Sequence, residues 1–436
     1  VVNETIRAAC EQGQRRLLRD GEPVQPELPP APEGPLPCAN QPLPPEGLPG
    51  LFAPLDIPEG SAPLASFEAA LAELDAGTRE APVRLAFYGA SGVAADLWTG
   101  YVRAYLQARF GDAGPGIVPG APPHKWSRHQ EIRLESSKHW KKHNAFRLDE
   151  LAPPGHFGVM GQAMTADDPR AWTQLTPDPK SPSATELAFY ELHYLEQPGG
   201  GSFTVRLDGR PLAEVITATS AQPRLGRHRI ELEPGSAHPL RLELHGDGEV
   251  RLLGVVAETG RPGVVLDTLG ANGAKTENLL RWDEALWSAH LRERDPVLYV
   301  LAYGNNESVD VDVPIAKYEA DYRAVLERFR RTLPSASCVM IGPGDYPILD
   351  HGEIRPRPRL AKIREVQREL APEYECAFLD TLAVFGGVGS KAAWVEAGLG
   401  KDDFLHLTRH GYLRFGVAVG DALMQGYDWR ALHAAD

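Results

Sequence analysis

Phe87-Tyr88-Gly89-Ala90-Ser91-Gly92-Val93-Ala94-Ala95-Asp96 is the stretch from which the fold is read. The apolar run Leu85 to Tyr88 stops at Gly89, and beyond it the large apolar residues Trp98, Val102, Leu106 and Phe110 take a helical spacing. That pattern predicts strand, tight turn and helix. Ser91 falls in the turn, where the carboxyl end of a strand meets the amino end of a helix. Free N–H groups and the positive end of the helix dipole gather there and suit an oxyanion. Serine is also a preferred helix cap. Taken alone, the stretch reads first as a capped helix, and the rest of the chain has to decide.

Working outward, Ser66 to Leu74 has helical spacing and leads into the strand Val83 to Tyr88. Residues 1 to about 65 are proline-rich, with a short helix expected over Glu4 to Leu18 and then an extended arm or tether. From about 120 to 260, short β-type runs alternate with turn signals: Ala188 to Tyr194, Phe203 to Leu207, Arg229 to Leu232, Leu240 to Leu244 and Val250 to Glu258. Asp208-Gly209 and Gly246-Asp247-Gly248 between such runs are hairpin signals. The pattern predicts a β-sandwich or jelly roll. Its aromatics, Trp126, Trp140, Trp172, Tyr190 and Tyr194, are expected mostly in the core, with one or two free to stack on sugar rings.

After Pro262 strands and helices alternate again. Strands are expected at 263–267, 297–303, 338–342 and 376–379, joining 84–88. Alternation of this kind implies a parallel sheet covered on both faces. The expected architecture is therefore an α/β domain with a five-stranded parallel sheet, interrupted by an inserted β domain. Its boundaries are an arm at 1–65, the α/β domain at 66–120 and 261–436, and the insert at 121–260.

The 436 residues carry 45 basic and 59 acidic side chains, a formal charge of −14, without a basic block suited to nucleic acid. No apolar run is long enough to span a bilayer. Val1 opens the numbering, as in a processed or truncated chain. Cys10 and Cys38 could pair in an oxidising compartment, whereas Cys338 and Cys376, in strand-like runs, read as buried thiols. No cysteine–histidine set has zinc spacing. His139 and His143 could share a helix face but lack a third ligand, so no metal or cofactor is expected.

Ligands of parallel α/β sheets sit at the carboxyl ends of the strands. The first three strands end there in Ser91, in the Gly270–Gly273 loop, and in Asn306; Asp403 and His406 precede the last helix, which Thr408 can cap. Ser, His and Asp are the parts of acyl transfer: nucleophile, base and the group that orients the base. The N–H groups of Ser91 and Gly273, with the Asn306 amide, would supply oxyanion donors. Singly, these glycines read as turn residues, Asn306 as a loop-closing amide and Asp403–His406 as a surface pair. The Gly386–Gly389 loop lacks the lysine order of a P-loop, and no G-x-S-x-G elbow surrounds Ser91.

In order, Gly89-Ala90-Ser91, Gly270-Ala271-Asn272-Gly273, Gly304-Asn305-Asn306-Glu307 and Asp403-Phe404-Leu405-His406 resemble the four blocks of the SGNH (GDSL-type) hydrolases. Within that family the chain looks like the peptidoglycan O-acetylesterase-like subgroup, which carries a carbohydrate-binding-module-like β domain between the first two blocks. The flanking Trp98-Thr99-Gly100, Arg109 to Gly114, Ala302-Tyr303-Gly304 and His406-Leu407-Thr408 carry the same resemblance. It implies a three-layer flavodoxin-like domain, catalytic Ser91, His406 and Asp403, and an oxyanion hole of Ser91, Gly273 and Asn306. Asp402 is the rival to Asp403, disfavoured by the Asp-x-x-His spacing. It further implies an acetylated cell-envelope glycan, peptidoglycan first, as substrate and an extracytoplasmic, periplasmic location. The alternatives are an O-acetyltransferase on the same residues and a non-catalytic glycan-binding protein. Two departures stand out: Ala90 replaces the usual Asp, and Glu307 stands where many members have Asp. Without the Asp, another group should pin the serine turn, or the turn should be looser.

Overall fold

The computed structural model describes residues 53–125, 127–145, 155–351 and 353–433. The expected helix Glu4–Leu18, the Cys10 and Cys38 pair and Trp126 lie outside them. The central strands are β1 (Leu55–Asp56), β2 (Val83–Gly89), β3 (Val264–Gly270), β4 (Leu298–Ala302), β5 (Ser337–Ile341) and β6 (Ala377–Leu379). They form one sheet in the order β1-β6-β5-β4-β2-β3. Neighbours from β6 to β3 run parallel, and β1 adds antiparallel to β6. The sheet thus has six strands where five were expected, and the extra one comes from the segment read as an arm. Two paired residues suffice to cover an edge that would otherwise present open backbone groups.

The strands β2 to β6 are mostly apolar because both of their faces are buried. Leu85 and Phe87 face one core, Ala86 and Tyr88 the other; Leu298 and Val300 divide from Tyr299 and Leu301 in the same way. Helices α1 (Ala65–Asp75), α2 (Trp98–Phe110) and α6 (Arg409–His433) pack on the first face. Helices α3 (Glu284–Arg294), α4 (Ile315–Thr332) and α5 (Pro358–Glu373) cover the second. On α4 the buried residues are Tyr318, Tyr322, Val325, Leu326 and Phe329, a stripe at helical spacing.

Cys338 on β5 and Cys376 beside β6 form a disulfide, with Cα atoms 4.6 Å apart, correcting the reading as buried thiols. Their strands are sheet neighbours, and Val339 pairs with Ala377, so the register brings both cysteines to one level.

Between α2 and β3 lie two further antiparallel sheets. One has five strands, the other six, and a single core holds residues of both, including Leu175, Phe203 and Leu242 from one and Tyr190, Leu192 and Val255 from the other. Asp208-Gly209 does make a hairpin, joining Ser202–Leu207 to Arg210–Thr217 with both turn residues at positive φ. Gly246-Asp247-Gly248 does not: its flanking strands belong to different sheets. Asp247 instead accepts hydrogen bonds from Ser202 N–H (2.7 Å) and Oγ, which steers the chain across. His143 lies on the strand Lys141–Asn144, bonded to Thr165, and His139 precedes it, so the two share no helix face. Trp140, Tyr190 and Tyr194 are buried, and the Trp172 ring is covered by the Arg241 guanidinium.

The strand Val250–Glu258 is buried along its whole length. Leu252, Val255 and Ala257 face the β core, while Leu253 and Val256 face the α/β core. It also pairs with Gly116–Val118. At its end Glu258 receives Arg84 of β2 (2.7 Å) and Arg294 of α3 (2.8 Å), and Arg294 also holds Asp267 of β3. Nearby, His193 Nδ1 lies 2.6 Å from His290 Nε2, and both rings are buried.

Candidate active site

The serine turn is built by its neighbours. Gly270 on β3 lies against the one-turn helix Ser91–Ala94: a Cβ there would stand 2.2 Å from Ala94 N. The Ala90 carbonyl accepts the N–H groups of Val93 and Ala94. The helix then breaks at Asp96, whose φ is +48°, before α2 begins. One expected helix is therefore two.

Ser91 Oγ lies 2.9 Å from His406 Nε2, and His406 Nδ1 lies 2.7 Å from Asp403 Oδ2. With Nδ1–H donating to the carboxylate, Nε2 is the lone-pair nitrogen that accepts the serine hydroxyl. Asp403 Oδ1 also accepts the N–H groups of Leu405 (3.0 Å) and His406 (2.8 Å). Burial works against the charge on Asp403. The hydrogen bonds from the His406 ring and these N–H groups outweigh it and hold the carboxyl below its usual range. It is Asp403, not its neighbour Asp402, that bonds the His406 ring. Thr408 Oγ1 accepts Gly411 N–H at 3.2 Å, capping α6 just past the histidine.

Ser91, His406 and Asn306 line one cavity of about 120 Å³, with Ala274, Phe385 and Tyr412 among its other walls. Asn306 Nδ2 donates to the Ala274 carbonyl at 2.8 Å. An amide nitrogen carries two hydrogens, so one remains for an oxyanion. Gly273 stands one residue before Ala274, with φ +82° and open space where a side chain would project. The N–H groups of Ser91 and Gly273 have no acceptor among the described residues. The structure thus gathers Ser91, His406 and Asn306 around one space, with Asp403 behind the histidine and Gly273 beside the loop that Asn306 holds. This arrangement can activate a hydroxyl and stabilise a developing negative charge.

Two positioning residues matter beyond those expected. Asp96 accepts from Thr99 (3.0 Å), Thr268 (2.8 Å), Arg103 (2.8 Å) and Gln130 N–H (2.8 Å). It ties the serine turn to α2, β3 and the β domain, the pinning that Ala90 cannot provide. Burial alone would raise its pKa; the Arg103 guanidinium beside it reverses this and holds the carboxyl well below the usual range. Its signal in the sequence is an aspartate just past the turn, on the far side of the serine from the position that Ala90 occupies. Glu307 accepts from Thr276 N–H and Oγ (2.8 Å each) and from Gly304 N–H (3.0 Å). It clamps the loop after β3 to the loop after β4. Burial raises the Glu307 pKa.

A largely parallel sheet covered on both faces, with the serine and oxyanion candidates at the ends of β2, β3 and β4 and the Asp–His pair in the loop before α6, is the SGNH hydrolase fold. Residues 245–414 match the GDSL-like Lipase/Acylhydrolase family, and the chain carries a domain of that family. Ser91 precedes the matched region, which begins within the β insert. A structure of a peptidoglycan O-acetylesterase in action shares the fold, with a TM-score of 0.71 at 21% identity over 84% of this chain and 97% of that one. A putative GDSL-like lipase from Parabacteroides merdae gives a TM-score of 0.30 at 20% identity, covering 38% of this chain and 74% of that one. A family two carbohydrate esterase from Clostridium thermocellum, in complex with cellohexaose, gives 0.28 at 13% identity, covering 66% and 99%. These two overlay too loosely to bear on the argument. No curated protein matches the sequence. No helix among the described residues is long and apolar enough to cross a membrane.

Proposed function

We propose that the chain is a serine esterase that removes O-acetyl groups from a cell-envelope glycan, peptidoglycan first, through an acyl-enzyme. The observation that carries this is the hydrogen-bonded line Ser91–His406–Asp403 at the wall of a small cavity. His406 takes the Ser91 proton as the oxygen attacks the acetyl carbonyl. Asp403 holds the ring in the tautomer that makes this possible. The oxyanion meets the N–H groups of Ser91 and Gly273 and the free hydrogen of the Asn306 amide. Collapse breaks the bond to the sugar oxygen, which takes the proton from His406 and leaves as the hydroxyl. Water, activated by the same histidine, then releases acetate.

The fold shared with a peptidoglycan O-acetylesterase supports the glycan substrate, and residues 121–260 would serve as a carbohydrate-binding-module-like jelly roll beside the site. The Cys338–Cys376 disulfide supports an oxidising, periplasmic location. An O-acetyltransferase on the same residues differs only in the acceptor. Hydrolysis of p-nitrophenyl acetate, with and without an acceptor sugar oligomer, tests the reading, followed by acetate release from O-acetylated peptidoglycan. Turnover that Ser91→Ala abolishes is the expected result. No hydrolysis of either ester by folded protein would leave the non-catalytic, glycan-binding reading in its place.

A further inference from the structure

The Gly-rich stretch before the last helix, which fits no phosphate-binding pattern, delivers a lysine to the back of the candidate site. Gly386, Gly387 and Gly389 all take positive φ, a turn that side-chain-bearing residues resist. The chain then enters the short helix Ser390–Glu396 with Lys391 on its inner side. Lys391 is 1% exposed. Its backbone N–H donates to Asp345 Oδ2 at 2.9 Å, and its ammonium donates to the Leu405 carbonyl at 3.1 Å. The Phe385 ring lies 5.1 Å away. Among the described residues no carboxylate forms a salt bridge with it.

A buried ammonium without a directly bonded counter-ion is costly. Its surroundings indicate what it serves. Leu405 stands between Asp403 and His406 in sequence, so the lysine holds the loop that presents both. We propose that Lys391 is a positioning residue of the Ser91–His406–Asp403 line: it anchors the Leu405 carbonyl and so fixes the loop that sets Asp403 and His406 against Ser91. The inference rests on the serine-esterase reading of that site.

Asp403 and Asp345 favour its charge, but burial outweighs them and lowers its pKa to about 8.

The test uses the full chain and p-nitrophenyl acetate, comparing kcat and KM of Lys391→Met, Lys391→Gln and Lys391→Arg with wild type. Lys391→Gln and Lys391→Arg keep a donor for the Leu405 carbonyl; Lys391→Met does not. The expected result is that Lys391→Met lowers kcat about tenfold with KM little changed, and that a variant with a donor recovers most of the loss. A folded Lys391→Met with wild-type kcat, or a loss of equal size in all three variants, would overturn the proposal. If Lys391→Met does not fold, the donor variants decide: both folded and both about tenfold slower would overturn it. An active Ser91→Ala control would instead remove the serine reading beneath it.

Discussion

Ser91 and Asn306 make separable contributions. Ser91→Ala should leave a folded protein with esterase turnover lowered at least ~10³-fold, since His406 would have nothing to activate. Equal rates in the two proteins would exclude a serine nucleophile. Asn306→Ala should lower kcat by about 10²–10³ with a smaller change in KM, because its free hydrogen acts on developing charge. A pure KM effect would instead make Asn306 a ground-state contact. The Ala90 departure is absorbed by Asp96 and by the Ala90 carbonyl itself. How far it slows the reaction depends on small displacements, since about 1 Å can cost ~10² in rate.

The elements that the sequence made legible were those with an unbroken period. The central strands and α1, α2 and α4 appear where apolar spacing placed them, because both strand faces and one helix face are buried. The site residues were legible as a set because successive strand ends converge on one edge of the sheet. Less legible was whatever depended on partners distant in the chain. β1 has only Leu55 and Asp56, too short for any pattern, and exists because β6 offers an open edge. The Gly246–Gly248 crossing and a hairpin share the same composition; Ser202 and Asp247 decide between them. The cysteine pair belongs here too, since their proximity follows from strand order rather than from spacing along the chain. With its ends 38 positions apart in the chain, the bridge should stabilise the fold by about 2–4 kcal/mol. Cys338→Ser/Cys376→Ser should therefore melt several degrees below wild type. Titration of the native protein with a thiol reagent should find both positions unreactive, and two reactive thiols there would exclude the bridge.

At the scale of the molecule, the buried histidine pair makes stability depend on pH. Val159 N–H donates to His290 Nδ1, so His290 Nε2–H donates to His193, whose Nε2–H donates to Glu191. Both rings are neutral in this line. Burial lowers both pKa values, despite Glu191 beside His193; the other ring and Arg294 and Arg227 add to the effect at His290. His129 and His156 shift in the same direction, also through burial. A depressed histidine pKa means that the unfolded chain binds a proton which the folded chain refuses. Stability is then fully present above the unfolded value of about 6.5 and falls as pH drops below it, by up to ~1.4 kcal/mol per pH unit for each histidine. Melting temperature should decline between pH 7 and pH 5, and more gently in a His193→Gln variant. A flat wild-type profile over that range would contradict the assignment of neutral rings.

The strand Val250–Glu258 gives the molecule one more property. Because one of its faces completes the β core and the other completes the α/β core, it has no linker on which the two halves could turn. The β sheets form a shoulder packed on the α/β core rather than a tethered module. Heating should produce one cooperative transition, not two. For the same reason a transplanted insert should fail to fold unless the host supplies the surface on which Leu253 and Val256 rest. Exchange of this domain between relatives would have to carry the facing α3 surface along with it.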